Sequence, residues 1–325
     1  MFKQSNFDPG LGAKLKGANN RVLGEDGNFN VIRSGAGFTM RDGFQHLVNM
    51  SWPKFLFYVF LVFGCINAFF AELYVLGGIE GLHGTKTGEW LSEFKQAFFF
   101  SIQTSATVGY GHMVPLEDWS NYLASFETLL GLLGLSVITG LLYGRFSRPR
   151  SSVIFSNNAI ITPFKEFSAF QFKIVNRREE TLMDVEVRLT LTYLEKVNGE
   201  YLRRYNTMPL ELNSVVFMPL TWTLVHYINP ESPLFGLDEE SMKERQTEVI
   251  IQLKAFDETY NQIIYSRFSY PVSQWLWNVK FKQNFTSMEN GQTIVFVDQI
   301  HDYEPIPLKQ ESNSFVKNVE KSLTD

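Results

Sequence analysis

Two stretches of the chain are apolar and uninterrupted by charge: residues 55–71 (FLFYVFLVFGCINAFFA) and residues 128–144 (TLLGLLGLSVITGLLYG). With their flanks, residues 52–76 and 119–146 each exceed the roughly 20 residues a helix needs to cross a hydrocarbon core of about 30 Å. A helix buried in a soluble domain keeps a polar face, and neither of these cores has one. Trp52 and Trp119 stand at the ends of the runs, where interfacial aromatics sit. The pattern predicts two membrane-spanning helices. Between them, residues 91–106 (LSEFKQAFFFSIQTSA) are helix-compatible but too short to span after their charged start. They predict a segment that dips into the membrane and returns, which is tolerated only inside protein or beside water.

The pattern changes after residue 150. Alternating positions at 169–175, 185–193, 220–227, 248–256 and 263–270 read as strands. The turn signals Asn198-Gly199, Asn229-Pro230 and Asn290-Gly291 separate strand regions. Short strands with such turns predict an all-β sandwich, immunoglobulin-like in broad architecture. This region contains no GxGxxG, phosphate-binding loop, zinc-ligand spacing or nucleophile elbow. The reading is therefore a non-enzyme without a cofactor.

Composition by itself conceals this division. The 325 residues are 45% hydrophobic, with a mean hydropathy of −0.09, the averages of a soluble protein. The 29 Lys+Arg against 34 Asp+Glu, net −5, exclude a basic nucleic-acid binder. Residues 1–150 hold 12 basic and 11 acidic residues, and residues 151–325 hold 17 and 23, so the acidity belongs to the β region. A single cysteine, Cys65, excludes an internal disulfide and any CxxC site. Residues 1–50 lack an apolar run long enough for a secretory signal, and none is expected. Arg145, Arg148 and Arg150 follow the second span, and Arg41 and Lys54 flank the start of the first. The intervening residues 77–118 carry two lysines against five acids. The positive-inside tendency places both termini in the cytoplasm and residues 77–118 outside.

The re-entrant segment leads into Thr107-Val108-Gly109-Tyr110-Gly111. A potassium filter replaces the ion's water shell with successive backbone carbonyls aimed at one axis. A row of same-sided carbonyls requires alternating right- and left-handed backbone, and Gly109 and Gly111 can take the left-handed half without Cβ strain. The carbonyls of Thr107, Val108, Gly109 and Tyr110 would then ligate K⁺, with the Thr107 hydroxyl at the inner end, while Val108 and Tyr110 point away and hold the filter to width. The helix before it aims its negative C-terminal end at the cavity and favours a cation.

At Thr104-Ser-Ala-Thr107-Val-Gly-Tyr-Gly111 the chain resembles the potassium-channel filter signature. More widely, from about residue 20 to about 300, it resembles the inward-rectifier potassium channel family in its prokaryotic branch. Asp26-Gly-Asn-Phe-Asn30 looks like the N-terminal DG-x-x-N strand, and residues 41–50 before Ser51-Trp-Pro53 look like the interfacial slide helix. Arg145-Phe-Ser-Arg148-Pro149 is similar to the basic junction after the inner helix. Thr221-Trp-Thr-Leu-Val-His226 with Ser232-Pro-Leu-Phe-Gly236, and then Trp275-Leu-Trp277, resemble two cytoplasmic stretches of the family. The resemblance implies a homotetramer in the prokaryotic inner membrane, one filter strand per chain, in the inward-rectifier and voltage-gated channel classes. The expected division is an N-terminal segment at 1–40 and a slide helix and pore domain at 41–150. The pore domain holds an outer helix at 52–76, a pore helix at 91–105, a filter at 107–111 and an inner helix at 119–146. A β-sandwich at 151–301 and a loose tail at 302–325 follow.

The resemblance also assigns roles. Leu135 and Tyr143, eight apart on the second span and near one face, occupy pore constrictions and form the gate. Leu135 stands where strong rectifiers carry an acid that binds polyamine or Mg²⁺, and an apolar residue there implies weaker block. Asp184 and Glu258 match acids of the cytoplasmic pore that concentrate cations. Gly134 or Gly140 is the hinge of the inner helix, and Gly131 is read as a packing residue. Arg145, Arg148 and Arg150, with Trp52 and Lys54, would bind anionic phospholipid, at about 1 kcal/mol per basic group. Glu127 either supports the filter from behind or lies near the outer interface. At Gln103 and His112 the chain departs from the family's Glu–Arg pair around the filter, so filter support must differ; His112 is either a hydrated rim histidine or an external pH sensor. Cys65 is a small apolar packer. Two rival readings are a weakly selective cation channel and a membrane-tethered β-sandwich binding module.

Overall fold

The computed structural model describes residues 8–12, 21–24, 27–31, 34–35, 40–147, 151–197 and 199–306, without the side chains of residues 40 and 41. It divides into two compact units, residues 34–148 and residues 1–33 with 149–325.

The first unit is helical. α1 (Met40–Asn49) is amphipathic and precedes α2 (Trp52–Leu76), which Pro53 opens at its first turn, where its missing N–H costs nothing. α3 (Trp90–Ser105) is the short helix between the spans, and α4 (Asp118–Phe146) is the second span. α2 and α4 are both long and apolar enough to cross a membrane, and little of either is buried within the chain. The loops beside α3 are tied together by a two-stranded ladder of β1 (Leu82–His83) and β2 (Val114–Pro115). Phe70, Ala71 and Tyr74 of α2 pack with Ala97 and Phe100 of α3 and Ala124 of α4. At the other end Val48 of α1, Phe55 of α2 and Leu141 of α4 form a second small core. Most of the apolar surface of α2 and α4 stays bare in one chain, as lipid or neighbouring copies require.

The second unit is a β-sandwich. Its strands are β3 (Val153–Phe155), β4 (Ala159–Phe164), β5 (Phe167–Asn176), β6 (Leu182–Val197), β7 (Glu200–Met208), β8 (Ser214–Met218) and β9 (Trp222–Ile228). A short helix, α5 (Glu239–Glu244), capped by the Asp238 carboxylate, leads to β10 (Glu248–Asp257), β11 (Gln262–Pro271) and β12 (Trp275–Trp277). One sheet runs β11-β10-β6-β7 with β8 beside β6; the other runs β12-β4-β5-β3 with β9 beside β5. All ladders are antiparallel except β12 on β4. Phe170 and Phe172 of β5 meet Val187 and Leu189 of β6 and Val249 and Ile251 of β10 in one core between the sheets. The strands centred on 169–175, 185–193, 220–227, 248–256 and 263–270 are present as β5, β6, β9, β10 and β11.

Beyond β12 the chain is more ordered than its polar sequence suggests. β13 (Val279–Phe281) pairs with β16 (Tyr303–Pro305), and β14 (Phe285–Ser287) with β15 (Thr293–Val295). A loose tail from residue 302 is therefore replaced by pairing that reaches residue 305. The reason lies underneath: Lys173 of β5 is buried and donates to the Lys282 carbonyl at 2.5 Å and to Asn284 Oδ1 at 3.1 Å. Residues 307–325 lie outside the described residues.

Candidate functional site

The segment after α3 has an alternating backbone. Thr107, Gly109 and Gly111 take positive φ of 58°, 54° and 79°, every second residue. The N–H groups of Val108 and Gly109 both reach the Gln103 carbonyl, at 2.8 and 3.2 Å, so the last turn of α3 anchors the segment's start. Thr107 was not expected in the left-handed region, which strains a β-branched residue. Val108 and Tyr110 are 52% and 81% exposed, so neither finds its packing partner inside one chain. His112 is exposed beside them.

Behind this segment lies a buried polar cluster. Glu127 of α4 is 1% exposed. Its carboxylate accepts from Tyr74 Oη of α2 at 2.8 Å and is in a short contact with Ser101 Oγ of α3. Ser101 and Ser105 also reach Asn67 Oδ1, at 2.9 and 2.8 Å. Asn67 Nδ2 donates to the Phe63 carbonyl within its own helix at 2.7 Å. Five polar side chains from three helices thus satisfy one another in an apolar setting, where an unpaired one would be costly. Of these, only Glu127 was singled out from sequence. Asn67 could have been found as a polar residue inside an uncharged span; the serines carry no such signal.

The inner helix touches the same place. A Cβ added at Gly131 would stand 2.2 Å from the Ser105 carbonyl oxygen. α4 therefore packs backbone to backbone on the last turn of α3 there, which only glycine permits. Gly134 and Gly140 have nothing near their Cα faces, and α4 runs unbroken through both. Leu135 and Tyr143 are 62% and 74% exposed in the single chain.

At the opposite end of α4, Arg145 points into the helical unit. Its Nη1 donates to the Leu47 and Val48 carbonyls at 2.6 and 3.1 Å, and its Nη2 to Met50 O at 2.7 Å. The guanidinium lies 4.6 Å from the Trp52 ring and 4.4 Å from that of Phe55. It thereby caps the orphan carbonyls that end α1. Trp52 also rests on Phe146, while Lys54 is exposed. Arg148 and Arg150 lie outside the described residues, as do Asp26 and Asn198. In the β unit, Asp184 sits at a bulge, with Lys254 opposite Glu186 but Phe256 opposite Met183, and takes a positive φ of 48°. It and Glu258, in the turn after β10, are both exposed.

Comparison with known proteins fits both units. A family model described as "Ion channel" matches residues 58–147, and one described as "Inward rectifier potassium channel C-terminal domain" matches residues 153–321. The chain is 30% identical to inward rectifier potassium channel Kirbac3.1 of Paramagnetospirillum magnetotacticum over 286 residues, 87% of this chain and 95% of that protein. The chain belongs to the inward rectifier potassium channel family. It is a membrane protein and a potassium channel subunit, not an enzyme, and K⁺ is its permeant ion rather than a cofactor. G protein-activated inward rectifier potassium channel 1 is a more distant relative, 25% identical in the Homo sapiens and Bos taurus proteins. Those alignments cover 93% of this chain but 64% of those proteins. The solved Spo0M sporulation control protein of Bacillus subtilis aligns with a TM-score of 0.20 at 11% identity over 38% of this chain and 47% of that one, and carries no argument.

Voltage gating, expected from the broader class, finds no support in these relatives. The charges on the two long helices are Lys54 and Glu72 on α2, and Asp118, Glu127 and Arg145 on α4. Among the described residues no helix bears the repeated arginines of a voltage sensor.

Proposed function

We propose that four copies of this chain form a K⁺-selective pore in the prokaryotic inner membrane, with both termini cytoplasmic and residues 107–111 of each copy lining the filter. The observation that carries this reading is the left-handed backbone at Thr107, Gly109 and Gly111. That alternation is what turns successive carbonyls to one side, and four such strands can replace the water shell of K⁺. Val108 and Tyr110 then pack between copies, which agrees with their exposure in one chain. The Glu127–Ser101–Asn67 cluster and Gln103 support the filter from behind.

Leu135 and Tyr143 narrow the pore at the gate, and Gly134 or Gly140 gives the inner helix its bend. Asp184 and Glu258 attract cations to the cytoplasmic mouth. The apolar Leu135 leaves the membrane cavity a poor site for Mg²⁺ or polyamine block. Arg145 acts mainly as the link between slide helix and gate. Direct contact with anionic phospholipid falls to Lys54, Trp52, Arg148 and Arg150.

The test is ion flux into liposomes holding the purified protein, with K⁺, Rb⁺ and Na⁺ compared in the presence and absence of anionic lipid. K⁺-selective, Ba²⁺-blockable flux is expected. Equal Na⁺ and K⁺ flux would favour a weakly selective pore, and no flux under any lipid would favour a tethered binding module.

A further inference from the structure

The β unit holds a cavity of ≈ 240 Å³ whose surface is more apolar than polar but whose walls include Arg21, Arg203, Lys243, Thr247 and Glu248. Arg203 of β7 is 3% exposed. Its Nη1 makes one long bond, to Thr192 Oγ1 at 3.4 Å, and its Nε has no partner. The Thr247 hydroxyl, on a residue 1% exposed, has none either.

One carboxylate is part of the cavity wall: Glu248, 2% exposed, whose Oε2 accepts from the Val22 backbone N–H at 2.9 Å and whose Oε1 lies 3.8 Å from Arg21 Nε without a hydrogen bond. Lys243 pairs with Glu239 one turn away at 2.5 Å. No carboxylate pairs with Arg203 among the described residues. Burial pushes this guanidinium down against the pull of Glu248, and a buried guanidinium whose N–H groups lack acceptors is costly. Arginine's planar fork matches a tetrahedral oxyanion better than it matches water. A water takes about 30 Å³ of liquid volume, so the space admits a phosphate-sized anion with part of its hydration.

We propose that this cavity binds a phosphate-sized oxyanion, with Arg203 as its buried anchor and Arg21, Lys243 and the Thr247 hydroxyl closing around it. The anion also braces the N-terminal segment. Arg21 already bonds Ser269 Oγ at 3.1 Å and Ser269 O at 2.5 Å, and a shared anion would tie it to β7 and α5 as well.

Calorimetric titration of the full-length protein in phosphate-free buffer at constant ionic strength tests this. Inorganic phosphate is one titrant, glycerol phosphate a second and chloride the control. Saturable phosphate binding at one site per chain is expected, weakened at least about tenfold in Arg203→Met. It should be unchanged in Arg188→Met, an exposed arginine elsewhere on the same sheet. Tighter binding of glycerol phosphate would assign the site to a phosphoryl ester, and weaker binding to the free oxyanion; either supports the proposal. Should Arg203→Met fail to fold, Thr247→Val removes one donor at constant shape and should weaken binding several-fold. Phosphate should also slow amide exchange at residues 21–24. No saturable heat with the wild-type protein, or equal affinity in the Arg203 and Thr247 variants, would overturn it.

Discussion

At the scale of single residues, two glycines carry opposite constraints. Gly109 has open space around its Cα but a φ of 54°, so a side chain there meets backbone strain rather than a clash. Gly109→Ala should abolish K⁺ flux while leaving the protein folded, as read by liposome flux beside a thermal melt. Gly131 is ordinary helix, but its Cβ would collide with the Ser105 carbonyl. Gly131→Ala should cost about 1–3 kcal/mol from overpacking. Gly134→Ala and Gly140→Ala meet no such atom in the chain and should leave stability unchanged or raise it by up to about 1 kcal/mol through helix propensity. A melt series on the three variants separates these cases, and altered opening at unchanged stability would mark the hinge. His226 is a third case. It is buried between the Pro209 carbonyl and Ser232 Oγ, and burial holds its imidazole below the usual value. Below about pH 6.5 the unfolded chain takes up the proton that the folded chain refuses. Stability should therefore fall as pH drops through this range, and His226→Gln should flatten that slope in melts from pH 8 to 5.

At the scale of elements, the junction of α1, α2 and α4 depends on one guanidinium. Arg145 joins the last carbonyls of α1 to the end of the helix that carries Tyr143. A movement of α1 thus has a direct mechanical route to the end of α4. Arg145→Lys keeps the charge but loses the fork and the stacking on Trp52 and Phe55. It should destabilise the helical unit by about 1–3 kcal/mol and speed amide exchange across residues 42–49, much as Arg145→Gln does. A lysine variant indistinguishable from wild type would mean that charge toward lipid is the residue's main role. The buried polar cluster makes the same kind of link among α2, α3 and α4, with Glu127 holding both Tyr74 and Ser101.

At the scale of the molecule, the surfaces that a pore needs are left open in one chain. Val108, Tyr110, Leu135 and Tyr143 are all large, apolar or aromatic, and exposed. An isolated copy would leave these groups with no axis to line and no neighbour to touch. Native mass spectrometry in detergent should give a tetramer, and currents should lack steep voltage-dependent activation because no arginine-rich helix is present among the described residues.

The two long apolar helices, the left-handed glycines of residues 107–111 and half of the sandwich were legible in the sequence because each is a local signal. Uncharged length marks α2 and α4, alternation marks β5, β6, β9, β10 and β11, and glycine spacing marks the left-handed backbone at 109 and 111. Strands such as β4 and β7 were not legible. β4 is buried at four successive positions and shows no alternation, and β7 mixes arginine and asparagine with its apolar residues. Nor could local pattern say what a given polar side chain does once the chain is packed. Ser101 and Asn67 are 34 residues apart, and Arg145 reaches α1 across 98. Periodicity carries no record of such partners, because each depends on which helices meet and at what height. The sequence by itself determined a two-span pore segment followed by a β-sandwich. Only the tertiary structure decided that Glu127 is buried against Tyr74 and Ser101, that Gly131 is a contact, and that the first arginine of the basic junction turns inward to hold a helix end.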